Sequence, residues 1–208
     1  MSSVIIAGDT SGSVTLSAPA VSGTTTLSLP ATSGTVLTSA NISSNLPAGS
    51  VLQVVEGSYK TTATFNVSAY TTTGVTASIT PSSASNKVLV MVKLDMGSSN
   101  GGDQEGGQAR LYRNSSDIAD ARGDNSSSRS GAFITHPCFS GDASSFMTEY
   151  GQYLDSPSST SSVEYRIYIR NYDSSGTYPV YLNRSSSDTD FVTTPRGVCR
   201  ITLMEIKG

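Results

Sequence analysis

The stretch "VEYRIYIR", Val163 to Arg170, alternates without a break. Val163, Tyr165, Ile167 and Ile169 fall on one side, and Glu164, Arg166, Tyr168 and Arg170 on the other. A period of two belongs to a β-strand, and here it leaves one face apolar and one face wet or interfacial. No window carries apolar residues at i, i+3, i+4 and i+7 over helical length; short alternating runs rich in Thr, Val, Tyr, Ser and Gly lie between turn clusters instead. That patterning confines the chain to an all-β fold.

The strongest strand signal is "KVLVMVKLD", Lys87 to Asp95. Val88, Val90, Val92 and Leu94 share one face, while Leu89 and Met91 lie on the other, so the middle of this strand is expected to be buried on both sides. The last strand, "VCRITLMEI", turns Cys199, Ile201 and Leu203 inward and Arg200, Thr202, Met204 and Ile206 outward. Met204 and Ile206 are apolar on an outer face, where they either cap the core or meet another subunit. Further strands are expected at Val51–Val55, Ala63–Val67, Val75–Thr80, Ala109–Arg113, Ala132–His136, Phe146–Leu154 and Tyr178–Leu182. This succession over residues 51–208 reads as a β-sandwich or jelly-roll head. Residues 41–50, "NISSNLPAGS", read as a linker.

Residues 1–40 follow a different rule. Ser-Gly recurs at Ser11-Gly12, Ser22-Gly23 and Ser33-Gly34, and Pro-Ala at Pro19-Ala20 and Pro30-Ala31. Between these marks, Val14 and Leu16, then Thr25, Leu27 and Leu29, then Val36 form one narrow apolar stripe among Ser, Thr and Gly. One such stripe cannot build a core, and three units barely suffice for a solenoid. It makes sense where copies from other chains meet it around a threefold axis, giving a β-repeat stalk or attachment module. The alternative is a Ser/Thr-rich arm that orders only on a partner.

Only 36 % of residues are hydrophobic and 14 % charged, so the core is thin and a partner chain is expected to supply part of the burial. The formal net charge is −3 with no basic run, which argues against nucleic-acid binding through phosphates. The start "MSSVIIAGD" has no Lys or Arg and no long apolar run, so neither a secretory signal nor membrane insertion is expected. The two cysteines, Cys138 and Cys199, are no disulfide framework, although a single bridge stays open.

The repeat "GSVTLSAPAVSGTTTLSLPATSGTVLT" resembles stretches common in tail-fibre and other virion structural proteins of tailed bacteriophages. "TASITPSSASNKVLVMVKL", "YLDSPSST", "YLNRSSSDTD" and "RGVCRITLMEIKG" resemble the globular domain that follows it there. The resemblance runs from about Gly8 to the end of the chain. It implies a homotrimeric β-rich fibre with a jelly-roll tip, similar to the tumour-necrosis-factor and C1q heads. It also implies a receptor-binding or virion-decorating role, with synthesis in the host cytoplasm. The shaft here is short, which admits a tip protein docked on a separate fibre or a capsid decoration protein.

Candidate chemistry is sparse, and no catalytic, cofactor or metal site is expected. His136, the one histidine, ends the apolar run "AFITHPCF" and reads as structural. With Cys138 and Cys199 it lacks the spacing of a zinc site. The acid pairs Asp103/Glu105 and Asp188/Asp190 would serve glycoside hydrolysis if suitably spaced, which makes a polysaccharide depolymerase the enzymatic alternative. No Trp offers a sugar platform, and the pairs read as solvated loop charge or calcium ligands. Receptor contact is expected from polar loops: Asn100, Asp103 and Glu105 in "GSSNGGDQEGG", Arg122 and Asp124 in "RGDNSSSRSG", and Tyr172 and Asp173 in "NYDSSGTYPVY". Trimer and stalk packing is expected from Val14, Leu16, Leu27, Leu29, Val36, Met204 and Ile206. The partners expected are two further copies, other virion proteins through the repeat, and a host-surface glycan or protein through the head loops.

Overall fold

A computed structural model describes residues 3–17, 19–21, 23–24, 26, 28, 31–40, 42–98, 106–137, 147–173, 175 and 177–208. The chain divides into two compact units, residues 1–42 and 43–208.

In the first unit, β1 (Ser3–Ala7) and β2 (Ser13–Ser17) form an antiparallel hairpin. The turn closes through Gly8 N–H donating to the Gly12 carbonyl at 3.0 Å, with Gly12 at φ +79. Val4 pairs with Leu16 and Ile6 with Val14, so four aliphatic side chains share one face, and all four are more than half exposed. The repeat was read as three strands; its first unit is one, and much of the second, including Thr25, Leu27 and Leu29, lies outside the described residues. Residues 31–40, which include Val36, form no strand. A strand needs a ladder partner, and among the described residues of the repeat 13–17 find one, in residues 3–7.

The second unit is nearly all β. A single helical turn, α1 (Ile42–Asn45), begins the stretch read as a linker. Lys207 fastens that stretch: its Nζ donates to the Ser44 and Leu46 carbonyls, and its backbone bonds Gly49 and Ser50. The strands follow as β3 (Val51–Tyr59), β4 (Ala63–Phe65), β5 (Thr71–Ile79), β6 (Lys87–Ser98), β7 (Gly107–Arg113) and β8 (Ser116–Asp117). After them come β9 (Ile134–His136), β10 (Met147–Asp155), β11 (Val163–Asn171), β12 (Val180–Leu182) and β13 (Cys199–Ile206). One sheet runs β3-β13-β6-β12-β4, with β10 on the other edge of β6. The second runs β5-β11-β7-β8, with β9 also on β7.

The two sheets enclose the core between them. β6 contributes Val88, Val90, Val92, Leu94 and Met96, and β13 contributes Cys199, Ile201 and Leu203. β5 and β11 face them with Val75, Ile79, Val163, Tyr165, Ile167 and Ile169. Each such aliphatic side chain contributes about 1.5–3 kcal/mol by leaving water. Gly57 of β3 brings the sheets together at one corner, since a Cβ there would collide with the Thr76 carbonyl of β5.

Three carboxylates are buried, each held by several hydrogen bonds. Glu205 accepts from Gln53 Nε2 (2.6 Å), Ser82 N–H (2.6 Å) and Asn86 Nδ2 (2.6 Å). Burial opposes its ionisation, but the bonds from Asn86, Gln53 and Ser82 outweigh burial and hold its pKa below the ordinary 4.5. Asp155 accepts from Arg113 Nη1 and from the hydroxyl of buried Tyr165 at 2.6 Å. Burial, then that bond, push the Tyr165 phenol well above its ordinary range. Asp95 accepts from Lys93, Thr148 and the Val198 N–H, which offset its burial and lower its pKa.

Candidate functional site

Register sets the outer face of the first sheet. Met204 lies opposite both Val54 and Leu89, and Leu89 lies opposite Leu154. One apolar row therefore crosses β3, β13, β6 and β10. The next row is Glu56, Thr202, Met91 and Gln152, and the one beyond is Ser58, Arg200, Lys93 and Tyr150. Val54 is 55 % exposed, Leu154 45 % and Tyr150 73 %, while Leu89, Met91 and Met204 are half-buried. The expectation that Leu89 and Met91 lie under a second layer is not met within the chain. Ile206, opposite Lys87 and beside half-exposed Val51, extends the apolar surface at one end.

A cavity of about 490 Å³ opens over the last two rows, lined by Met91, Lys93, Tyr150, Gln152, Arg200 and Thr202. Both of its cations are neutralised from the side: Lys93 Nζ is 2.8 Å from Asp95 Oδ2, and Arg200 pairs with Glu56. A face of this kind suits packing better than it suits an ionic ligand.

The second sheet presents the opposite chemistry. As the alternation of β11 predicts, Arg166, Tyr168 and Arg170 point away from the core, and they lie opposite Tyr112, Arg110 and Gln108 of β7. The rings of Tyr112 and Tyr168 stack at 3.8 Å with 22° between their planes.

The loops are held by hydrogen bonds rather than by burial. Arg122 Nε donates to Asp117 Oδ2 at 2.9 Å, so its guanidinium is packed rather than free, whereas Asp124 is exposed. Gly131 N–H donates to Asn125 Oδ1 at 2.7 Å and closes the 122–131 loop. Asp173 is buried against its own turn, accepting from Ser175 and Thr177, and the Ser175 bonds lower its pKa to about 2. Tyr172 is half-buried, and its backbone N–H donates to Gly106. On the hairpin, Val14 and Leu16 share the apolar face with Val4 and Ile6. Leu27, Leu29, Asn100, Asp103, Glu105 and Cys138 lie outside the described residues.

His136 is buried with Nδ1 3.4 Å from Glu149 Oε1, and burial lowers its pKa despite that carboxylate. The Cys199 thiol donates to Asn183 Oδ1 at 3.1 Å, and burial pushes its pKa up to about 11. Asp188 is 2.6 Å from Arg196, and Asp190 is exposed. Among the described residues, no three His, Cys, Asp or Glu side chains gather closely enough to hold a metal ion. Nor is any helix among them long and apolar enough to cross a membrane.

Sequence reasoning found Met204 and Ile206 but missed Val54, Leu154 and Tyr150. The signal for Leu89 and Met91 was present in the strand; what joins all of these into one surface is cross-strand register, which no single strand states.

Fold and surfaces define an all-β protein with sandwich-like sheets, one outer face crossed by an apolar row and the other rich in Arg and Tyr. No family model matches the chain, and no curated protein matches it.

Proposed function

We propose that the chain is a structural protein of a tailed-phage virion. It acts as a tail fibre or fibre tip, homotrimeric and non-enzymatic, and it binds the host surface through its head. The observation that carries this reading is the pair of apolar surfaces left open in a single chain. One is the Val54–Met204–Leu89–Leu154 row of the head; the other is the Val4–Ile6–Val14–Leu16 face of the hairpin. A lone two-stranded hairpin is marginal in water, so both surfaces call for other copies. Copies related by a threefold axis cover a surface of this kind without leaving an open, fibre-forming contact.

The jelly-roll reading of the head is supported by strand order. The six-stranded sheet contains the antiparallel run β3-β13-β6-β10 and the five-stranded sheet the run β5-β11-β7-β9, and two such facing four-strand runs are what a jelly roll requires; β4, β12 and β8 are additions to them.

Electron microscopy of the parent virion, with an antibody raised to residues 51–208, tests the function. Label on the tail is the expected result. Label over the head makes the chain a capsid decoration protein instead. Turnover of host polysaccharide that disappears in Asp188→Asn or Asp190→Asn overturns the non-enzymatic reading.

A further inference from the structure

We propose that the outer face of β5, β11 and β7 is a binding site for an acidic polysaccharide. This rests on the host-binding reading above and names its ligand class and its place on the head.

Arg and Tyr alternate along and across these strands. Arg166 lies opposite Tyr112, Tyr168 opposite Arg110, and Arg170 opposite Gln108. Tyr70, just before β5, lies with the Arg110 guanidinium 4.2 Å and the Arg170 guanidinium 5.3 Å from its ring centre. The surface is held in place before any ligand arrives. Arg110 donates to the Gly131 carbonyl, Ser130 Oγ and Asp117; the Tyr70 hydroxyl and Arg170 Nε both donate to Gln108 Oε1. A prearranged surface loses little side-chain entropy on binding.

Charge selects the ligand. Glu164 pairs with Arg166, and Asp117 is shared between Arg110 and Arg122, so two carboxylates answer the four arginines Arg110, Arg122, Arg166 and Arg170. The face is therefore positive on a chain whose net charge is −3. Among the described residues, the two terminal nitrogens of Arg170 make no hydrogen bond to the protein, and that fork fits a carboxylate. Arg166 and Arg170 stand about 13 Å apart along the strand, so an extended chain with repeated acidic groups meets both.

The excess of two positive charges is too small for a nucleic-acid backbone, whose affinity grows with the number of phosphates neutralised. Three tyrosines, Gln108, Ser130 and Thr72 suit the apolar faces and hydroxyls of sugar rings. The site also lies on the opposite side of the sandwich from the apolar row. Assembly through the first sheet leaves it open and multiplies it on one particle.

The test is calorimetric titration of the full-length protein with an oligogalacturonate, with neutral dextran and polyglutamate as comparators, at low and high salt. Binding to the oligogalacturonate alone is expected. It should weaken as salt rises and fall by about tenfold or more in Arg170→Gln and in Tyr168→Ala. Equal affinity in wild type and both folded variants overturns the proposal, as does tighter binding to dextran or polyglutamate. If either variant fails to fold, the wild-type titration decides, and affinity indifferent to salt overturns the proposal. Competition with virion adsorption separates this proposal from the host-binding reading. If wild type and Arg170→Gln block adsorption equally, the protein still binds the host but not through this face. If the wild type blocks nothing yet binds the oligogalacturonate through Arg170, the face stands and the host-binding reading falls.

Discussion

Glu205 faces the core from β13 and is held ionised by Gln53, Ser82 and Asn86. Its pKa is lower folded than unfolded, so the unfolded chain binds the proton first as acid is added. The stability it contributes is complete above its ordinary value of 4.5 and is lost as pH falls through the depressed folded value. Asp95 follows the same sign from 3.8 downward. Glu205→Gln keeps the shape but turns an amide donor toward these donors, at a cost of about 1–3 kcal/mol near neutral pH. Thermal melts at several pH values should show the variant well below wild type at pH 7 and close to it in acid. A gap that does not narrow shows that the charge contributes nothing. At Gly57 the limit is space: the added methyl of Gly57→Ala strikes the Thr76 carbonyl, and backbone must move. A loss of about 1–3 kcal/mol in denaturant titration is expected.

At the level of elements, alternation carried far. The runs at 87–95, 163–170 and 199–206 are β6, β11 and β13, with the expected residues inward. β11 offers a direct test in two adjacent positions. Ile167→Ala removes a fully buried side chain and should cost about 2–5 kcal/mol, whereas Arg166→Ala, facing outward, should cost well under half of that. Equal losses would place the strand in the wrong register. Legibility ended where a strand depends on something outside itself. The repeat unit at 34–38 has the alternation of a strand but forms none, because backbone groups need a second strand and a sequence period does not say who supplies it. The candidate surfaces were visible as single residues, such as Met204 or Arg170, and invisible as surfaces. Val54, Leu89 and Leu154 come from strands far apart in the chain, and only pairing aligns them. Loop 122–131 is polar and mostly exposed, so burial does little to order it. Hydrogen bonds order it instead: Gly131 N–H donates to Asn125 Oδ1, Ser126 N–H to the Arg129 carbonyl and Arg122 Nε to Asp117.

On the scale of the whole head, the sandwich divides its two outer faces by chemistry. The first sheet turns out Val54, Met204, Leu89 and Leu154, and the second turns out arginines and tyrosines. A soluble protein gains nothing by leaving a contiguous apolar row in water, whereas a self-associating one gains about 25 cal/mol for each Å² it covers. The composition agrees, since a chain with 36 % hydrophobic residues has few to spare for a decorative stripe. On the trimeric reading, a lysine placed in the row must bury its ammonium against two neighbours, which desolvation forbids. In the single chain the same lysine simply points into solvent, because these positions face away from the core. Leu154→Lys combined with Met204→Lys should therefore separate assembly from folding. Light scattering at micromolar concentration is expected to give the mass of three chains for wild type and of one chain for the variant. The variant should keep a cooperative melt and an unchanged far-ultraviolet spectrum. A wild-type protein that is already monomeric removes the threefold argument, and a variant that remains trimeric moves the contact to the N-terminal hairpin, where Val4, Ile6, Val14 and Leu16 become the next residues to change.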